Sequence, residues 1–300
     1  MVTVIQSYFK HMERKGLSEK TVRGRKIMFK RYKAWLAENE INLLNVTPVQ
    51  LEEFQTYLSQ DYRSRGRKVS LGTVGEYTTA LRMLYRFLHS ENKILSNPAI
   101  GLQNPKRSRR IHRDVMTRVE LGRLLDKPDQ NSPEGQRDLV VLRILAFSGL
   151  RLSELFNLNL CDLNLQEREL IIRRGKGNKD RLSFIDKKTQ ELVAKYLIQG
   201  RASLANKQEQ ALIVRNSGQR STADVITWII KKYRRSIRLR KKISPHSFRR
   251  TFCSMLLKSG CNLKAISELA GHKRLSTTGR YQSLDLSDLQ QAYRQAFPRD

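Results

Sequence analysis

The 300-residue chain carries 58 Lys and Arg against 28 Asp and Glu, a formal net charge of +30, which strains a compact fold by self-repulsion unless a polyanion screens it. Nucleic acid is the polyanion that fits, because basic side chains gain affinity by releasing counterions from phosphates. No stretch approaches the ~18 apolar residues of a membrane helix, and the opening Val2-Thr3-Val4-Ile5-Gln6-Ser7 lacks the basic-then-apolar order of a signal peptide, so a cytoplasmic, nucleoid-associated protein without a membrane partner is expected. The length exceeds the usual ~100–150 residues of one domain and predicts two. Cys161, Cys253 and Cys261 are scattered and include no Cys-x-x-Cys pair; this argues against a disulfide framework or a zinc site, and they read as small core residues.

The first hundred residues read as amphipathic helices. The first spans about Thr3 to Lys15 and stops at Gly16. Ser18 can cap a second, whose apolar line is Val22, Phe29, Tyr32 and Leu36 and whose other side carries Lys20, Arg23, Lys26, Lys30 and Arg31. Thr47, Pro48 and Gln50 spell a capping box for a third helix through Leu51, Phe54 and Leu58. A fourth carries Val74, Tyr77, Leu81, Leu84 and Leu88. The polar loop before it, with Arg63, Arg65, Arg67 and Lys68, is a candidate phosphate-contacting surface.

Between Asn97 and Arg113 the hydrophobic period gives way to Pro98, Pro105 and the basic cluster Lys106, Arg107, Arg109 and Arg110, which reads as a linker able to strap along DNA. Thr117 and Glu120 then make another capping box ahead of Leu121, Leu124 and Leu125. An apolar helix from about Leu139 to Phe147 ends at Gly149. Leu170 to Ile172, a Gly-rich turn, and Leu182, Phe184 and Ile185 predict a β-hairpin. Further helices follow at about Ala223 to Ile237, Ser247 to Lys258 stopped by Gly260, and Leu263 to Ala270 stopped by Gly271. The fold class is therefore mainly α with a small antiparallel β-sheet, without an internal repeat.

Phosphodiester cleavage needs charge neutralisation on the nonbridging oxygens, a nucleophile, and a proton donor for the departing oxygen. The sequence shows no cluster of Asp, Glu and His at metal-ligand spacing, so the positive charge has to come from side chains, and the planar fork of Arg suits it. Ser244-Pro245-His246-Ser247-Phe248-Arg249 sets His246 and Arg249 three residues apart at a helix start, where both can face one site. Gly271-His272 follows a helix stop, and Tyr281 comes nine residues later. Taken singly, each has a structural reading: His246 as a helix cap, His272 as an interior histidine, Tyr281 as one of ten tyrosines.

Together these residues resemble the tyrosine recombinase and phage integrase family, which includes the bacterial Xer recombinases. The family's first arginine lies in Gly-Leu-Arg-x-x-Glu-Leu, here Gly149-Leu150-Arg151-Leu152-Ser153-Glu154-Leu155. Its lysine lies in a hairpin turn, here Gly175-Lys176-Gly177-Asn178-Lys179-Asp180-Arg181; chemistry alone does not separate Lys176 from Lys179, and motif position favours Lys176. His-x-x-Arg matches His246 and Arg249, Leu-x-Gly-His matches Leu269 to His272, and the nucleophile matches Tyr281. The chain end, from Tyr281-Gln282-Ser283-Leu284 to Phe297-Pro298-Arg299-Asp300, is similar to the Xer branch. Arg250 departs from the pattern, since relatives commonly have histidine there, and adds positive charge beside the site.

The resemblance implies a two-domain DNA clamp: a helical core-binding domain over residues 1–100, a basic linker over 101–115, an α+β catalytic domain over 116–284, and a C-terminal helix over 285–300 that docks on a neighbouring subunit, the alternative being that this helix folds back on its own domain. It implies that Tyr281 attacks the scissile phosphate to give a 3′-phosphotyrosyl bond while Arg151 and Arg249 clamp the nonbridging oxygens. His246 would take the tyrosine proton, Lys176 would protonate the leaving 5′-oxygen, His272 would hydrogen-bond the phosphate, and Glu154 would orient or pack. No cofactor or metal is implied. The implied partners are duplex DNA with a specific recombination site and further copies of the chain, a dimer per site and a tetramer in synapsis, with the need for a second recombinase or accessory protein left open. Two rivals are a catalytically inactive DNA-binding regulator of the same fold and a type IB topoisomerase-like relaxing enzyme.

Overall fold

The computed structural model describes residues 2–64, 66–106, 114–173, 180–271 and 286–297, with the side chains of residues 2, 3 and 286 left aside. The chain divides into two compact units, Met1–Arg110 and Ile111–Asp300.

In the first unit, α1 (Val2–Arg14), α2 (Glu19–Glu38), α3 (Pro48–Gln60) and α4 (Leu71–Ser90) start and stop where the local chemistry directs. The Ser18 side chain accepts from the Thr21 amide, and Thr47 and Gln50 form a reciprocal capping box. Each such cap is worth about 1 kcal/mol because it satisfies an amide the helix cannot. Phe29, Tyr32 and Leu36 of α2, Leu51, Phe54 and Leu58 of α3, and Leu81, Leu84 and Leu88 of α4 are buried together in one core. Two tyrosine hydroxyls lie inside it, and they satisfy each other: Tyr32 and Tyr85 are 2.7 Å apart, and Tyr85 also donates to the Leu43 carbonyl. The predicted polar loop is instead a small antiparallel ribbon, β1 (Arg63–Ser64) paired with β2 (Arg67–Lys68). Arg63 and Lys68 face each other across it, a pairing of like charges that periodicity does not forecast; both residues are exposed, and the Arg63 guanidinium turns back to donate to the Gln60 and Tyr62 carbonyls.

In the second unit the Thr117–Glu120 capping box forms and opens α5 (Arg118–Leu125). The next helix, α6 (Pro133–Ser148), begins six residues before the apolar run predicted it, because Ser132 caps it and Pro133 occupies its first turn. Its early turns bury Gln136, Arg137 and Asp138. Asp138 is fully buried and accepts from Arg137, Lys232 and the Tyr233 hydroxyl, which is why a charged residue survives there. After α7 (Leu152–Asn157), the sheet has a strand that the sequence reading missed: β3 (Leu163–Asn164), β4 (Glu169–Ile172) and β5 (Arg181–Phe184) are antiparallel in that order, with Ile171 opposite Leu182. Two further unpredicted helices, α8 (Lys187–Ile198) and α9 (Gly200–Leu204), pack against α6. Then come α10 (Ala223–Ser236), α11 (Pro245–Lys258), α12 (Leu263–Ala270) and α13 (Leu286–Ala296).

The second unit's main core gathers α6 residues with Leu170, Ile172, Ile226, Ile229, Ile230 and Phe248. A second cluster joins Phe184, Phe252, Leu256, Ile266 and Leu269 to Tyr293 of α13. Helix α13 therefore lies on its own chain, where the Tyr293 hydroxyl donates to the Phe147 carbonyl and Phe297 stacks on Phe252. Cys261 is buried and Cys253 half-buried, but Cys161 is exposed, contrary to its reading as a core residue. It sits in a 3-10 turn whose buried residue is its neighbour Asp162, fixed by capping the turn and by Arg173.

Candidate active site

Helix α6 ends at Gly149, whose left-handed conformation (φ 63°) turns the chain sharply, and any side chain there would collide with the Phe252 ring. Two residues later Arg151 is the N-cap of α7, and Glu154 follows at the third helical position. Glu154 accepts from the Arg151 backbone amide at 2.7 Å and from the Arg151 guanidinium at 2.5 Å. Arg151 also donates to the Gly271 carbonyl.

Arg249 comes to the same place from α11. Ser244 caps that helix and Pro245 fills its first turn, so His246 lies at the exposed start while Arg249, one turn on, is buried. Arg249 donates to the carbonyl of Gly149 at 2.6 Å and to that of Ala270. The two arginines thus grip successive carbonyls, Ala270 and Gly271, at the end of α12. The free carbonyls at the C-terminus of a helix favour cations, which makes this end a natural seat for guanidinium groups.

Arg181, at the start of β5, reaches the same carboxylate and donates to Glu154 at 2.7 Å. Two guanidinium groups, those of Arg151 and Arg181, thus share one carboxylate while Arg249 feels its field from nearby, an excess of two positive charges in a mostly buried recess. Burial pushes the Arg249 pKa down to about 10, and repulsion from Arg151 adds to it. It still carries its proton at neutral pH. Burial pushes Glu154 toward neutrality, but Arg181, Arg151 and the Arg151 amide outweigh it and hold the carboxyl below its ordinary range. Such a recess favours an anion that brings its own negative charge. No group of three or more His, Cys, Asp or Glu suited to a metal ion occurs among the described residues.

Residues 114–287 match the phage integrase family, and residues 1–100 match the phage integrase SAM-like domain. The chain belongs to the phage integrase family. Tyrosine recombinase XerC of Thermodesulfovibrio yellowstonii is 34% identical over 98% of this chain and 96% of its own length. Tyrosine recombinase XerD of Vibrio cholerae is 32% identical over 95% of this chain and 92% of its own. This phage integrase family member is accordingly a site-specific DNA recombinase of the tyrosine class.

Solved structures share the recombinase's fold. XerH bound to its palindromic difH substrate in a post-cleavage complex aligns with a TM-score of 0.68 at 23% identity, over 90% of this chain and 77% of that one. A lambda integrase dimer bound to a COC' core site aligns with a TM-score of 0.70 at 15% identity, over 95% and 99%. These likenesses establish a mainly helical fold with small antiparallel sheets, as the sequence predicts. No helix among the described residues of this family member is long and apolar enough to cross a membrane.

Of the residues expected in the recombinase's site, Arg151 and Arg249 are brought together and His246 lies one turn before Arg249, whereas Lys176, His272 and Tyr281 lie outside the described residues. Lys20, Arg23, Lys26, Lys30, Arg63, Arg67, Lys68 and Lys106 are exposed, and Arg65, Arg107, Arg109 and Arg110 are outside the described residues. Sequence reasoning quoted Arg181 within the hairpin motif and gave it no role. The signal was available in the alternation of β5, where Leu182 and Phe184 share one face, leaving Arg181 with Ser183 on the other. Ser183 is buried and donates to the Ser148 carbonyl, so that face looks inward, toward the end of α6.

Proposed function

We propose that this recombinase cleaves duplex DNA at a specific site by attack of the Tyr281 hydroxyl on the scissile phosphate. The new bond joins the tyrosine oxygen to phosphorus, the bond from phosphorus to the 5′-oxygen breaks, and the 3′ end is held as a phosphotyrosyl ester. A free tyrosine with a pKa of about 10 is a weak nucleophile at neutral pH; His246 accepts its proton and Lys176 donates one to the leaving 5′-oxygen. Arg151 and Arg249 clamp the nonbridging oxygens, His272 hydrogen-bonds the phosphate, and Glu154 orients Arg151. The ester linkage conserves the bond energy, so rejoining to another strand runs the same steps backward through a Holliday junction.

The observation that carries this reading is the convergence of Arg151 and Arg249 on the adjacent carbonyls of Gly271 and Ala270. Residues 1–100 form the core-binding domain, 101–115 a basic strap, 116–284 the catalytic domain, and 285–300 a tail whose helix α13, seated on its own chain in this structure, exchanges onto a neighbouring subunit in a tetramer of two DNA-bound dimers. A groove of about 510 Å³ lies beside α13, lined by Leu121, Phe147, Met255 and Phe297 together with charged residues that include Arg143, Asp186 and Lys187. The exposed Lys20, Arg23, Lys26, Lys30, Arg63, Arg67, Lys68 and Lys106 supply phosphate contacts of the first unit and strap. The enzyme acts in the cytoplasm, at the nucleoid. Mapping the covalent junction on genomic DNA tests the proposal: a Tyr281 peptide on a 3′-phosphate at one recurrent sequence is expected, and adducts scattered over unrelated sequences would favour a relaxing enzyme.

A further inference from the structure

We infer that Arg181 is a positioning residue for the phosphate clamp: acting through Glu154, it fixes the aim of Arg151. This rests on reading Arg151 and Arg249 as that clamp.

Glu154 divides its carboxylate between two elements. Oε1 accepts from the Arg151 guanidinium, while Oε2 accepts both from the Arg151 backbone amide and from Arg181, each at 2.7 Å. Arg151 and Glu154 alone would form a local loop at the start of α7, a helix of only six residues. Such a loop leaves a long side chain free to exchange rotamers. Arg181 comes from β5, and so ties the carboxylate to the sheet.

Arg181 is itself held in place. Its side chain is only 15% exposed, its Nη1 reaches the Leu269 carbonyl at 3.5 Å, and it lies so close over Gly271 that a side chain at that position would collide with its Nε. Gly271 is left-handed at φ 63°, and its carbonyl is the one that Arg151 grips. The contacts therefore close a ring, from Arg151 to Glu154, to Arg181, across residues 269–271, and back to Arg151. In a closed ring the loss of one link loosens the whole; in an open chain it would loosen only the end.

Arg151 and Arg181 repel each other and both repel Arg249, and Glu154, lying between the first two, offsets that repulsion. A lysine at 181 could satisfy Glu154 but lacks the planar fork that also reaches the Leu269 carbonyl.

The test uses the full chain with Arg181→Met and Arg181→Lys, on a nicked duplex built on the adduct site mapped with the parent enzyme. The scissile group is an ordinary diester, a methylphosphonate, in which a methyl group replaces one charged oxygen, or a 5′-bridging phosphorothiolate. Arg181→Met is expected to bind the duplex as the parent does and to form adduct roughly 10²-fold more slowly on the diester, the scale of a misplaced catalytic group. That defect should shrink to a few-fold on the uncharged methylphosphonate, which needs no clamp, and persist on the phosphorothiolate. Arg181→Lys should show the same pattern with a smaller defect, and it carries the test if Arg181→Met does not fold. Equal defects on all three substrates would reduce Arg181 to a structural part, and rescue on the phosphorothiolate would make it a support for the leaving-group acid. Either result overturns the inference, as does parent-like cleavage. Failure of the underlying reading would show differently: the parent itself would form no tyrosine adduct on the diester, and the positioning role would fall with it.

Discussion

One guanidinium nitrogen of Arg250 meets both carboxylate oxygens of Asp114, at 2.7 and 2.9 Å, and the Ser247 hydroxyl adds a contact to the same carboxylate at 3.3 Å. The Arg250 charge is therefore paired with Asp114, which lies near the end of the 101–115 strap. Two residues on, the Met116 amide donates to the Thr251 hydroxyl, so the entry to the catalytic unit is fastened along the helix that carries His246 and Arg249.

A double-mutant cycle of Asp114→Asn and Arg250→Met, followed by urea unfolding, should give a coupling of about 0.5–1 kcal/mol, because both partners remain partly exposed. Burial pushes the Asp114 pKa up, but Arg250 and the other donors outweigh it and set it below the usual aspartate range. The pair's contribution is thus complete above that range and is lost as pH falls through the lowered value. Asp114→Asn should remove this component of acid sensitivity; an unchanged acid transition would mean that the pair does not contribute.

Tyr281→Phe removes only the phenolic oxygen, so DNA binding should persist while covalent attachment to a suicide substrate disappears on denaturing gels. A surviving adduct would assign the nucleophile to another residue.

Lys176→Ala should slow cleavage of normal DNA yet recover on a substrate whose 5′-bridging oxygen is sulfur, since a thiolate departs without a proton. Lys179→Ala should not show this recovery. If the two variants exchange behaviour, the general acid is three residues further along the hairpin.

Truncation after Leu284 should spare binding to a single site while reducing cooperative assembly and disturbing which strand is cut. It also strips Tyr293 and Phe297 from the aromatic cluster with Phe147, Phe184 and Phe252. A smaller probe of that seat, Tyr293→Phe, should cost about 1 kcal/mol in thermal or urea unfolding by orphaning the Phe147 carbonyl. Normal assembly and recombination by the truncated protein would refute docking between subunits.

The sequence by itself determined what depends on neighbours along the chain. Caps at Ser18, Thr47 and Thr117 and stops at Gly149, Gly260 and Gly271 are local hydrogen-bond and backbone matters, and the structure has them where the residues call for them, whereas α11 starts two residues before the expected Ser247 because Ser244 caps it. The i, i+3 spacing of His246 and Arg249 on one helix was legible for the same reason. Tertiary structure alone decided the rest. The early turns of α6 hide behind Asp138, whose burial depends on Lys232 and Tyr233 nearly a hundred residues away. Arg181 meets Glu154 across 27 residues and lies against Gly271, while Arg250 finds Asp114 across 136. Hydrophobic period reports which face of an element is buried. It carries no information about which distant carboxylate will meet a guanidinium, because that pairing is set only when separate elements pack and a buried charge must find its partner.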